Sequence, residues 1–354
     1  TWQYSELKSM IRRNKISVPC VIVDLEKLDH NIDIFKEQAI KHNKNIRLAT
    51  KSIRVPSIIQ YIGRRGGKLL QNLMCYNISE AELVVSTEDN VFKDVLIAYP
   101  FTKPEDVKTT FRLASQHLRD PQLPELTITV MVDCMTHLYK LSIAWHKEAE
   151  KMIHSLKTSQ KKLKESYNSL KLRVCIDYDM SLCYLYNYVH LGVHRSPIYN
   201  TKKFSELVAA LDDFPNLILT SVMGYEAQIS GVPLNNPFTK WMNPIMKIFQ
   251  RISKRDVLRK RREMKEVIRK YGCNLEFVNG GGTGSFLWTL QDPNVSEVSV
   301  GSGFLQSHIF DWFHDNESKC ALTFTIECTR KPKKGTITCQ SGGFIASGNI
   351  CKDK

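Results

Sequence analysis

No uninterrupted apolar run in the 354-residue sequence approaches the roughly 18 to 20 residues that a membrane-spanning helix needs. The opening, TWQYSELKSMIRRNK, has no apolar signal core. Both absences predict a water-soluble, cytoplasmic protein with no membrane partner. CxxC pairs and zinc-finger spacings are also missing. The ten cysteines, at 20, 75, 134, 175, 183, 273, 320, 328, 339 and 351, are scattered. That distribution suits reduced thiols, so neither a disulfide framework nor a structural zinc is expected. No internal repeat or low-complexity tract is visible, and 42% hydrophobic residues exclude a disordered or fibrous chain.

Acidic residues are in deficit: 36 Asp and Glu stand against 50 Lys and Arg, a net charge of +14. Half of that excess sits in RISKRDVLRKRREMKEVIRK, Arg251 to Lys270, with ten basic residues against three acids. Ile252, Val257, Leu258, Met264, Val267 and Ile268 recur there at roughly helical spacing, which predicts an amphipathic helix with a solvated basic outer face. Nucleic acid or an anionic surface is the other reading, but no recognition motif accompanies the charge. Nucleic acid is therefore not expected as a partner.

β-branched runs alternate with helical stretches, the pattern of βα units around a parallel sheet. Strands are predicted near Val21–Asp24, Ile46–Thr50, Leu69–Met74, Val95–Ala98, Thr127–Asp133, Leu172–Asp177, Leu217–Met223, Leu275–Asn279 and Glu297–Gly301. Helices fit between them, at Leu28–His42, Pro56–Arg64, Ser79–Thr87 with Ser79 and Glu82 spaced as a capping box, and Pro104–His117. Others are predicted at Met135 to about Lys171 with a break near Lys157, Lys202–Asp213 and Pro244–Tyr271. The fold class is α/β: a (β/α)8 TIM-type barrel over residues 45–315, which supplies eight of the nine strands. Residues 1–44 contribute the surplus strand, and 316–354, with the β-like runs CALTFTIEC and GTITCQSGGFIASG, begin a second, smaller β domain that the strand could join.

In such a barrel the chemistry belongs at the C-terminal ends of the strands. Lys51 follows IRLAT, Asp133 closes ITVMV, Asp177 closes LRVCI, Tyr225 to Gln228 follow LTSVMG, and Gly280 to Ser285 follow LEFV. The run FVNGGGTGSF, Phe277 to Phe286, reads as a strand, a flexible turn and a helix start. Its glycines would let backbone N–H groups close around a phosphate while Thr283 and Ser285 add hydroxyls. It is neither a Walker motif nor a full GxGxxG, and a tight turn without a ligand is an equal reading. A lysine at Lys51's position can be partly desolvated, which frees its amine to condense with an aldehyde such as that of pyridoxal 5′-phosphate (PLP). PLP would then serve as an electron sink.

VPCVIVDLEKLDHNI, LATKSIRVPSIIQ, LMCYNISEAEL, VCIDYDMS, HLGVHRSP, MGYEAQISG, FVNGGGTGS and EVSVGSGFLQSHIFD occur in the order seen in another group of proteins. Through them nearly the whole chain resembles the alanine racemase-like (fold type III) PLP enzymes, and within these the amino acid deaminase/aldolase branch near D-threonine aldolase and D-serine dehydratase. The resemblance implies that Lys51 is the Schiff-base lysine and that Gly281, Gly282, Thr283 and Gly284, with Gly301 and Ser302, surround the phosphate. It matches Arg195 to an arginine near the cofactor's phenolic oxygen, although a dozen or so residues separate it from Asp177, and a plain ion-pair arginine is the competing reading. Tyr225, Glu226 and Gln228 match the segment facing the cofactor ring or substrate, with Tyr225 and Glu226 as catalytic candidates. A structural acceptor at a strand end is the alternative for Glu226. His190 and His194, and likewise Cys75 and Tyr76, are expected to be structural.

Relatives of the aldolase and dehydratase type continue past a GGFIASG-like segment into a stretch whose histidine and cysteine bind a metal. This sequence stops at Lys354, and no histidine follows His314. No metal ligand is therefore assigned, and a divalent metal is expected only with a chain that continues past Lys354. The implied activity is a PLP-dependent lyase or aldolase acting on a small-molecule 3-hydroxy amino acid, of D configuration, in a homodimer. Dehydration with deamination, racemisation and non-catalytic PLP binding stay open.

Overall fold

The computed structural model describes residues 4–13, 15–184, 189–313 and 317–341. Fourteen strands are found among them: β1 Cys20–Val23, β2 Asn45–Ala49, β3 Asn72–Cys75, β4 Asp94–Ile97, β5 Thr127–Val132, β6 Leu172–Asp177, β7 Leu182–Tyr184, β8 Val189–Leu191, β9 Leu217–Gly224, β10 Phe277–Gly280, β11 Glu297–Val300, β12 Leu322–Thr325, β13 Glu327–Lys333 and β14 Thr336–Gln340. β2, β3, β4, β5, β6, β9, β10 and β11 form a closed barrel in that order, with β11 pairing back onto β2. Every barrel pair is parallel. All nine strands expected from the sequence are present, and eight of them make the (β/α)8 barrel. β1 lies outside it and pairs antiparallel with β12, Cys20 opposite Thr325. β13 and β14 form a separate antiparallel pair. The GGFIASG end of the last β-like run lies outside the described residues.

Successive side chains on a strand point to opposite faces, and this period sorts the barrel residues. Met74, Leu96, Met131, Cys175, Met223 and Phe277 pack together in the interior. Their sequence neighbours Leu73, Val95, Val130, Val132, Val174, Ile176, Val222 and Val278 join the layer that packs against the surrounding helices. At the N-terminal end of the barrel a charged cluster replaces the apolar layer. Arg47 is fully buried; its Nε donates to Glu297 Oε1 at 2.5 Å and its Nη1 to Asp94 Oδ1 at 2.8 Å. The guanidinium also lies 4.3 Å from the centre of the Phe277 ring, beneath the apolar layer.

Three local readings need correction. The Ile78–Val85 helix is capped by Asn77, which accepts from the Glu80 N–H, and not by Ser79: Asn77 ends the strand-to-helix turn and keeps extended geometry while Ser79 is already helical. β7 and β8 form a short antiparallel hairpin that three-residue strands gave no periodicity to reveal. A further helix, Tyr4–Arg12, precedes β1. Among the described residues no helix is long and apolar enough to cross a membrane.

Candidate active site

A cavity of about 630 Å³ opens at the C-terminal mouth of the barrel. That volume lies within the range of small-molecule sites, ~300 to 1,000 Å³. Lys51, Arg195, Tyr225, Gly281, Gly282, Thr283, Gly301 and Ser302 all line it. Three of them follow the alternation already seen in the barrel: the inward series Arg47, Ala49 continues to Lys51, Met223 to Tyr225, and Phe277, Asn279 to Gly281.

Lys51 lies in a single 3₁₀ turn, Thr50–Ser52, directly after β2. The turn is fixed from both sides: Thr50 Oγ1 donates to Met74 O at 3.2 Å, and Arg54 Nε donates to Lys51 O at 2.9 Å. Lys51 is exposed. The partial desolvation expected for it is therefore not supplied by the packing of the described residues.

The glycine run leaves β10 with Gly281 at φ +84°, a conformation that favours glycine. A side chain there would also collide with Val298, whose Cγ1 lies 2.3 Å from the Cβ position. Beyond it, the Thr283 hydroxyl pairs with the Ser302 hydroxyl at 3.0 Å and accepts the Gly303 N–H at 2.9 Å. Those contacts join the turns after β10 and β11 into one hydroxyl-bearing rim. Gly284 is different: it faces a second cavity, and its Cβ position is 2.1 Å from Ser230 O. It serves close packing and does not reach the first cavity.

Arg195 stands between two rings, its guanidinium carbon 5.4 Å from the centre of Tyr99 and 5.3 Å from that of Tyr225. Tyr99 in turn contacts Tyr76, with ring centres 4.6 Å apart. Burial pushes the Tyr225 phenol up from its usual range, while a hydrogen bond with Ser230 opposes the shift. Asp177, at the end of β6, is also buried. Burial raises its carboxyl to about 7; the charge of Arg195 opposes this, and Asp133 and Asp179 add to it. Its Oδ2 has no hydrogen-bond partner.

Two candidates lie elsewhere. Glu226 is fully buried outside the cavity, where its carboxylate meets Arg261 Nη2 at 2.8 Å and accepts the Gly281 N–H at 3.1 Å. The physical reason is the strand period, since the residue after inward-facing Tyr225 must face the helices. There it serves as an acceptor for the wall of the barrel. Gln228, in the short helix Ala227–Ser230, donates to Met180 O at 2.7 Å and is also absent from the cavity lining. His190 also lies outside the cavity lining, its Nε2 2.9 Å from Asp179 Oδ2 and its ring 3.9 Å from that of His194.

Several lining residues escaped the sequence reading. Tyr99, Asn236 and Trp312 come from loops, where no periodicity marks an inward position. Asn279 and Ser299 were recoverable, because each falls on the inward parity of its strand; Asn279 Nδ2 donates to Ser299 Oγ at 2.9 Å.

No protein-family model matches the chain. Among curated proteins, 3-hydroxy-D-aspartate aldolase of Paracoccus denitrificans is 22% identical over 311 residues, covering 86% of this chain and 65% of its own length. The chain thus spans slightly under two thirds of that relative. D-threonine aldolase from Filomicrobium marinum superposes with a TM-score of 0.68 at 17% identity, covering 92% of this chain and 73% of that one. D-threo-3-hydroxyaspartate dehydratase from Delftia sp. HT23 gives 0.61 at 13% identity, covering 88% and 68%. With its closed parallel barrel and these likenesses, the chain has the alanine racemase-like fold, and it is distantly related in sequence to 3-hydroxy-D-aspartate aldolase.

Proposed function

We propose that this chain is a PLP-dependent lyase that acts on a 3-hydroxy amino acid of D configuration. The observation that carries the reading is that Lys51 and the glycine rim, Gly281 to Thr283 with Gly301 and Ser302, line the same cavity at the barrel mouth. A primary amine and a phosphate-sized cradle are the two attachments PLP needs, and the donor set fits it. The substrate class follows the three named relatives, each of which takes a 3-hydroxy D-amino acid.

When bound, PLP withdraws electrons from the bonds at the substrate's Cα. Lys51 Nζ is the attachment point for the aldehyde carbon and, once released, the group that holds or moves a proton at Cα. The rim hydroxyls of Thr283 and Ser302 and the neighbouring backbone N–H groups bind the phosphate. Arg195, fixed between Tyr99 and Tyr225, offers charge-assisted donors to a carboxylate or to the cofactor's phenolic oxygen. Tyr225, its phenol kept protonated by burial, is a donor at the same wall.

The test is borohydride reduction of the protein with added PLP, followed by peptide mass mapping. A pyridoxyl label on Lys51, lost in Lys51→Ala, is expected. Release of an aldehyde from D- but not L-3-hydroxy amino acids would then establish the aldolase reaction, whereas a keto acid and ammonia would establish dehydration. A label on another lysine, or none, overturns the reading.

A further inference from the structure

The basic helix Asn243–Lys270 was expected to turn its charges to solvent. Two of them, Lys260 and Arg261, are buried. Lys260 Nζ donates to the carbonyls of Asp179 at 3.1 Å and Ser181 at 2.7 Å, at the base of the β7–β8 hairpin. Arg261 goes to the back of the glycine rim. Its Nη2 donates to Gly224 O at 2.9 Å and to Glu226 Oε2 at 2.8 Å, and its Nη1 to Asp292 Oδ2 at 3.1 Å.

Glu226 gathers the other end of the same network. Its Oε2 also accepts the Gly281 N–H, while Oε1 accepts the hydroxyls of Ser285, at 3.3 Å, and Thr289. The turn and the helix that follows it therefore hang on one carboxylate, and that carboxylate rests on one guanidinium. The fit is close: a Cβ at Gly280 would lie 2.4 Å from Arg261 Nη2.

We propose that Arg261, acting through Glu226, is a positioning residue for the phosphate-binding rim. The inference rests on the PLP reading given above. Two effects follow from the geometry. Gly281 is held with its N–H turned into the wall, which sets the course of Gly282 and Thr283 along the cavity. Arg261 also neutralises a carboxylate that lies directly behind the rim and would otherwise repel a phosphate dianion across a poorly screened interior.

A phosphate-specific role separates this from general structural support. PLP and pyridoxal share the aldehyde and differ in the phosphate, so their dissociation constants are compared by absorbance titration, with Lys51 labelling as the check on attachment. In Arg261→Met, PLP affinity should fall about 10- to 100-fold, as the Gly281 turn loses its anchor and the Glu226 charge is bared behind the rim, while pyridoxal affinity stays within about twofold. Glu226→Gln combined with Arg261→Met should recover part of the loss, because the repelling charge is gone. If Arg261→Met does not hold its near-UV circular dichroism, Arg261→Lys, which keeps the charge and loses the fork on Glu226, Gly224 and Asp292, carries the comparison, with a smaller loss in the same direction. Folded variants that prefer PLP over pyridoxal as strongly as the wild type overturn the inference. A wild-type protein that takes no label on Lys51 overturns the PLP reading itself and this inference with it, a pattern distinct from the first.

Discussion

Tyr225 and Glu226 are consecutive residues on opposite sides of the barrel wall: the ring of Tyr225 lies 5.3 Å from the Arg195 guanidinium in the cavity, and the Glu226 carboxylate is buried 2.8 Å from Arg261 behind it. The two should therefore fail differently. Glu226→Ala leaves Arg261 with Asp292 as its carboxylate partner but strips the Gly281, Ser285 and Thr289 donors of their shared acceptor, and should cost roughly 2–4 kcal/mol of stability. Tyr225→Phe removes one hydroxyl and should cost about 1 kcal/mol. Urea unfolding midpoints check this, and equal losses would contradict the assignment of Glu226 to the wall.

The same pair explains what could be read before the fold was known. Long β-branched runs such as TITVMV and LRVCID announce buried parallel strands, so the barrel was legible. So was the placing of Lys51 and the glycine run at strand ends. The motif holding Glu226 was read as a block; applying the strand period within MGYE separates Tyr225, on the cavity, from Glu226, in the wall. Arg261 was hidden for another reason. Among eleven basic residues on one helix, nothing in composition distinguishes the two that turn inward, and for Arg261 only the position of Glu226 and Asp292 in space does so. Loop residues such as Tyr99 carry no periodicity at all.

Arg47 invites a stability test remote from the cavity. Its guanidinium is inside the barrel with Glu297, which is itself buried, and Asp94. Burial works against its charge, but the two carboxylates more than offset that and hold it protonated. Arg47→Met should lose roughly 3–5 kcal/mol by stranding Glu297, and Arg47→Met with Glu297→Gln should regain part of it. Chemical denaturation of the three variants measures both, and an additive double variant would argue against the pairing.

For Arg195 the expectation is functional. A flat guanidinium fits between the Tyr99 and Tyr225 rings, and a lysine ammonium cannot reproduce either its fork or its stacking. Arg195→Lys should keep the fold and the Lys51 label yet lower kcat/KM by about 10- to 100-fold. Steady-state kinetics on the 3-hydroxy D-amino acid that the product-release test identifies decides it, and wild-type activity would return Arg195 to a packing role.

Asp177 makes stability depend on pH. Its carboxyl rises from an ordinary 3.8 to about 7, chiefly through burial. Between those values the folded protein binds more protons at this site than the unfolded chain, so the contribution is destabilising as pH rises and reaches its full size above about 7. Asp177→Asn, which cannot ionise, should be as stable as the wild type near pH 4. It should become progressively more stable than the wild type up to pH 8, by at most on the order of 4 kcal/mol. Arg195 opposes the shift, so in an Arg195→Met background the carboxylate loses that cation, its carboxyl rises further and the gain should grow. Thermal unfolding across that pH range in both backgrounds reads the sign directly.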